Sequence, residues 1–166
     1  MPSNKKPSKK YNPAKRARMD AFGGLRTLYR TAAAQSTEPL AADQTRDLGI
    51  AYHGALQALM TGKATADDCN TLALSANITM LLCEAGLGRE YLEIAKAGQD
   101  AVVQVFARFA RVGKAVPTGP DVRALQDMLE LHDAQLAHED CTEGKLVAAL
   151  AECKRRIAAR QVLEVA

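Results

Sequence analysis

Leu72-Ala73-Leu74-Ser75-Ala76-Asn77-Ile78-Thr79-Met80-Leu81-Leu82-Cys83 is the stretch on which the fold turns. A helix that meets solvent on one side shows a polar stripe, and this one shows none: Leu72, Leu74, Ala76, Ile78, Met80, Leu81 and Leu82 point to every side of the helix. It belongs at the centre of a bundle. Thr65, with Asp68 three residues on, reads as a capping box in its Asp variant, and Asp67 and Asp68 suit the positive end of the helix dipole. The helix starts there and ends near Gly86.

The flanking segments have the one-sided pattern of helices that surround such a centre. Upstream, Ser36-Thr37-Glu38-Pro39 reads as a turn. From Leu40 to Gly62, Leu48, Tyr52, Ala55, Leu56 and Leu59 form one stripe. Downstream, from Arg89 to Val112, Leu92, Ala95, Gln99, Val102, Phe106 and Phe109 step by three and four. After a connection from Gly113 to Pro120, Val122, Leu125, Leu129, His132 and Leu136 keep the rhythm. Leu146, Leu150, Cys153 and Ile157 form the last stripe, with Thr142 as N-cap. No strand alternation, hairpin signal or repeat of fixed period appears. The expected fold is all-α, an antiparallel bundle of four to six helices.

Charge divides the chain differently. Residues 1 to 30 carry nine Lys or Arg and one acid, the remaining 136 carry thirteen basic residues and eighteen acids, and the total of +3 hides the split. Residues 1 to 10 hold no apolar residue after Met1 and are expected to be disordered, because nothing there offsets the entropy of ordering. Asn12-Pro13 reads as a helix start, with Phe22, Leu25, Tyr29 and Ala32 on one face to about Ala34. The domain reading is therefore a basic arm, residues 1 to 18, followed by a single helical domain, residues 19 to 166.

Lys5, Lys6, Lys9, Lys10, Lys15, Arg16 and Arg18 are the candidate anion-binding residues. Lys15, Arg16 and Arg18 fall at the start of a helix, where the dipole disfavours cations by about 0.3 to 1 kcal/mol each, so helix stability does not account for them. Phosphates would, in a contact largely blind to base sequence. The competing reading is that the run keeps the chain soluble or meets an acidic protein surface, including that of a second copy. Tyr11 is the sole ring within the run, which counts against a stacking platform for single strands. Lys154, Arg155, Arg156 and Arg160 form a second cluster, which suits the negative end of a helix dipole and needs no ligand.

Other chemistry finds little in the sequence. His132, His138, Cys141 and Cys153 are the one N2S2 combination to weigh for zinc, but their spacing matches no ligand pattern, and His132 and Cys153 lie on apolar stripes. Neither a metal nor a cofactor is expected. Asp133, Glu139 and Asp140 lie near the histidines without a nucleophile motif, and Gly86-Leu87-Gly88 lacks the strand and further glycines of a phosphate loop. The expectation is a non-enzymatic protein with no small-molecule substrate identified. Four cysteines in a chain this rich in apolar residues read as reduced thiols; no apolar core follows the basic run as in a secretory signal, and no stretch is long enough for a membrane helix. The expected location is the cytoplasm, away from membranes.

The stretch from Leu72-Ala73-Leu74-Ser75-Ala76-Asn77-Ile78 through Gly86, with Ala97 to Arg111, Gly119-Pro120 and Leu125 to Leu136, resembles small helical proteins carried by phages, plasmids and integrated elements of proteobacteria. The likeness covers about two thirds of the chain and rests on general pattern. It implies a mobile-element setting and transfers no functional residue. Two functions follow as expectations. One is an accessory or regulatory protein that contacts nucleic acid through residues 5 to 18. The other is a protein-interaction module, a homo-oligomer or an adaptor or inhibitor of another protein, with no nucleic-acid role.

Overall fold

The computed structural model describes residues 34 to 159, and these form an all-α bundle. Five helices follow in order: α1 (Ala42–Met60), α2 (Ala66–Glu84), α3 (Leu92–Val112), α4 (Gly119–Ala137) and α5 (Glu143–Ala158), with a 3-10 turn Arg89–Tyr91 before α3. The basic arm and most of the helix expected from Asn12 to Ala34 lie outside the described residues.

Side-chain pairs give the directions. Arg108 meets Asp121 while Gly98 abuts Met128, so α3 and α4 run antiparallel. Tyr52 meets Asp133, and Leu59 and Leu125 line one small cavity, which sets α1 antiparallel to α4 as well. Gln99 donates to Asn77 at 2.8 Å between α3 and α2. The last helix packs on the C-terminal half of α2, where Arg156 reaches Glu84.

Central placement of α2 is confirmed. Leu72, Ala76, Ile78, Leu81, Leu82 and both terminal cysteines of the quoted stretch's neighbourhood, Cys69 and Cys83, are buried against α1, α3, α4 and α5. Its buried polar residues satisfy themselves locally: Ser75 Oγ donates to Thr71 O at 3.0 Å and Thr79 Oγ1 to Ser75 O at 2.8 Å, so neither requires a partner on a neighbouring helix. Leu74 is the exception, 43% exposed. Leu48 likewise stands at the rim of its stripe, while Tyr52, Ala55, Leu56 and Leu59 are buried as their spacing predicts.

Caps agree with the sequence at two of the predicted starts. Thr65 Oγ1 accepts from Asp68 N–H while Asp68 Oδ2 accepts from Thr65 N–H at 2.7 Å, and Thr142 Oγ1 accepts from Lys145 N–H at 3.2 Å. A second capping box, Thr118 with Asp121, opens α4 inside what reads from sequence as a plain connection. That carboxylate also takes the Arg108 guanidinium, and Arg108 Nε donates to Val116 O at 2.8 Å. Burial works to raise the Asp121 carboxyl, but the Thr118 and Arg108 contacts outweigh it and hold it below its usual range.

Residues 36 to 40 are more than a turn. Gly144 N–H donates to Ser36 O, Glu143 N–H to Glu38 O at 3.0 Å, and Leu40 N–H to Cys141 O, with Pro39 and Thr142 forming an isolated antiparallel bridge. This clip fastens the entry to α1 against the start of α5. The helix itself begins two residues later than its apolar pattern suggests, at Ala42, where Gln44 Oε1 accepts the Ala41 N–H.

Candidate functional site

All seven sequence-predicted anion-binding residues, Lys5, Lys6, Lys9, Lys10, Lys15, Arg16 and Arg18, lie outside the described residues. Of the second basic cluster, Arg160 lies outside the described residues, Lys154 is exposed, and Arg155 and Arg156 are engaged internally. Arg155 lies along Glu152 with two contacts at 2.7 Å, and Arg156 spans from Glu152 at 2.8 Å to Glu84 on α2 at 3.0 Å. Those hydrogen bonds hold the Glu152 carboxyl below its ordinary range and raise the Arg156 guanidinium. Arg156 acts as a tie between α5 and α2.

The fold brings together a constellation that the sequence does not announce. Asp133, on α4, accepts the phenol proton of Tyr52 on one oxygen and meets His53 Nε2 at 2.8 Å on the other, two residues adjacent on α1. A carboxylate can only accept, so the Nε2 proton points to Asp133. Burial, then the bond to Asp133 and its charge, push the Tyr52 phenol well above its usual range. His132 packs its ring edge-on against Tyr52, with centroids 5.1 Å apart, and burial pushes its imidazole down to about 4. It is neutral at pH 7.

This cluster opens on a shallow groove of about 610 Å³ between the start of α1 and the end of α4, lined among others by Leu40, Thr45, Arg46, His53, Asp133 and His138. Arg46 is bound to its neighbour Asp47 at 3.0 Å. Among the described residues no serine or cysteine lines the groove, and Thr45 is its one hydroxyl side chain.

A second pocket, about 320 Å³, lies between the Gly86 to Tyr91 segment and the end of α4. Gly88 adopts φ +75, and a side chain there would press on Leu131 at 3.3 Å, so glycine serves both the backbone turn and the packing. Gln135 forms part of the wall. Its Nε2 donates to Leu87 O at 2.8 Å, Thr79 O at 3.2 Å and Cys83 Sγ at 3.2 Å, pinning the loop to the central helix. Its Oε1, like His132 Nδ1 one turn earlier, is a buried polar atom without a hydrogen-bond partner among the described residues.

Cys141 and Cys153, the cysteines weighed as zinc ligands, are buried thiols, as are the other two. Cys69, Cys83, Cys141 and Cys153 are all free, and burial raises each of them. Among the described residues no three of His, Cys, Asp and Glu converge as metal ligands would. His138 is exposed and turned to its own chain, accepting the Asp140 N–H on Nδ1 at 3.1 Å. Among the described residues no helix is long and apolar enough to cross a membrane.

Of this assembly, the sequence places His132 correctly on the buried stripe but does not reveal Tyr52 and His53 as partners of Asp133. The only available signal is that a Tyr on an apolar stripe needs a buried acceptor for its hydroxyl. Comparison of the chain with protein-family models, with curated proteins and with solved structures gives no match.

Proposed function

We propose that the chain is a small non-enzymatic accessory protein, of the kind mobile elements carry, that contacts nucleic acid without base preference through Lys5, Lys6, Lys9, Lys10, Lys15, Arg16 and Arg18. The observation that carries this is the separation of charge: nine basic residues and one acid in residues 1 to 30, against a net of −5 in the remainder. The structure of the body supports it in one respect. Arg155 and Arg156, two of the four residues of the rival cluster Lys154, Arg155, Arg156 and Arg160, are engaged by Glu152 and Glu84, which weakens that cluster as a competitor for an external polyanion. Seven cations on duplex phosphates correspond to a log-log salt slope of up to about −6.

The test is fluorescence anisotropy with an arbitrary duplex across a salt series. Binding weakens steeply with salt in the natural chain. It is lost when the seven Lys and Arg are changed to Gln in the full-length protein, with helical circular dichroism unchanged. Equal binding by the neutralised chain refutes the reading.

A second reading, a protein-interaction module, draws on exposed apolar side chains of the body: Ile50 is 66% exposed, and Leu74 stands at 43% on a helix otherwise enclosed. A sedimentation experiment that finds a stable dimer, undisturbed by Lys and Arg neutralisation, would favour it.

A further inference from the structure

The two halves of α1 are attached to the body in different ways. Tyr52, Ala55, Leu56 and Leu59 bury the second half in the core, whereas from Ala42 to Ala51 no residue is buried and only Thr45 and Gly49 are partly covered. Beneath that first half lies the groove of about 610 Å³, so a gap and not a packed interface separates it from the end of α4. A helical stretch this short is marginal on its own, and its apolar residues Leu48 and Ile50 are exposed. Polar contacts hold it at its two ends. Before it, Glu143 N–H donates to Glu38 O at 3.0 Å and Leu40 N–H to Cys141 O at 3.4 Å. After it, Tyr52 donates to one oxygen of Asp133 and His53 Nε2 lies 2.8 Å from the other.

We propose that residues 36 to 51 are a flap that opens from the end of α4 as one unit, with Asp133 as its catch. Segments that open well below the free energy of global unfolding have few buried apolar contacts and solvent-exposed backbone hydrogen bonds, and this one has both. The catch sits where the flap ends, because Tyr52 is the first buried residue of α1. Of its two bonds, the one from Tyr52 is the stronger: the phenol is buried and its acceptor is ionised, while His53 is half-exposed. Opening widens the groove and uncovers Leu136, which is buried in its wall. The body thus has two states, and anything that binds only the open one shifts the balance between them. The device is independent of the nucleic-acid reading.

The test is hydrogen exchange of single amides in the full-length chain, at several urea concentrations below the unfolding transition. Thr45 to Ala51, whose amides bond within the first half of α1, should exchange with one shared opening constant. Its urea dependence should lie well below that of Leu72 to Leu82 in α2, since less surface is exposed. Tyr52→Phe keeps the ring and removes the phenol bond; it and Asp133→Ala should each raise the opening constant about tenfold or more, the scale of a hydrogen bond to a charged group. Rates that fall steadily from Thr45 to Ala51 mean fraying from the end and overturn the flap as a unit. Rates and urea dependence equal to those of α2 overturn it as a separate element. If either substitution leaves the opening constant unmoved, the catch between Tyr52 and Asp133 is refuted.

Discussion

Gly98→Ala is the sharpest test of how this bundle is packed. Alanine is better than glycine in a helix interior by about 1 kcal/mol, so propensity alone predicts a more stable protein. The structure predicts the reverse. A Cβ at Gly98 would lie 2.5 Å from Met128 Cβ and closer still to Met128 Cγ, well inside any real carbon-carbon contact. Met128 is itself fully buried, and its Cβ is fixed to the α4 backbone, so no rotamer change relieves the overlap. The helices must part, and overpacking of this kind costs about 1 to 3 kcal/mol. After the propensity gain, the net loss is about 0 to 2 kcal/mol, or a fall in Tm of up to roughly 8 °C for a chain of this size, where propensity alone predicts a rise. Gly54→Ala on α1 is the matched control. Nothing lies within 4 Å of a Cβ there, so the same substitution should raise Tm by about 2 to 4 °C. Thermal unfolding followed by circular dichroism measures both. A stabilised Gly98→Ala protein would refute the close approach of α3 and α4.

Stability should also fall as pH drops from about 6.5 to about 4. The buried His132 is held neutral to about 4 while the unfolded chain protonates near 6.5, so the unfolded state binds more protons in that window; the loss is on the order of 3 kcal/mol, and urea titrations should show a flattened profile for His132→Phe. Gln135→Leu leaves the Leu87 carbonyl without its side-chain donor and removes a second donor from the helical Thr79 carbonyl, and should cost about 1 to 3 kcal/mol in urea unfolding, with hydrogen exchange rising in the Gly86 to Tyr91 segment first. Asp133→Asn removes both the charge and the charged acceptor from Tyr52, and ultraviolet titration should then find that phenol ionising at lower pH than in the natural chain. A tyrosine titration unchanged by Asp133→Asn would mean that the Tyr52 to Asp133 contact does not form in solution.

Reading the sequence worked where a property is local or repeats along one helix. The all-α class, the central helix, the Thr65 and Thr142 caps and most of the buried stripes follow from helical periodicity and from hydrogen-bonding groups three residues apart. It failed at Leu74, because whether an apolar residue is covered depends on how the other helices pack around it. Gly98 carries no signal of its role along the chain, and only the distance to α4 shows it as a contact point. Asp133 and His132 were noticed as polar residues on one helix, yet their partners Tyr52 and His53 stand about eighty positions away.

By itself, then, the amino-acid order determined which segments coil, which faces turn inward and where positive charge gathers, since each depends on neighbours within a turn or on simple count. Tertiary structure alone decided that Arg155 and Arg156 are engaged on Glu84 and Glu152, that residues 36 to 40 clip to the start of α5, and that Gln135 binds the loop after α2. Such pairings join residues distant along the chain, and they exist only once helix packing has brought polar groups within about 3 Å in the right orientation.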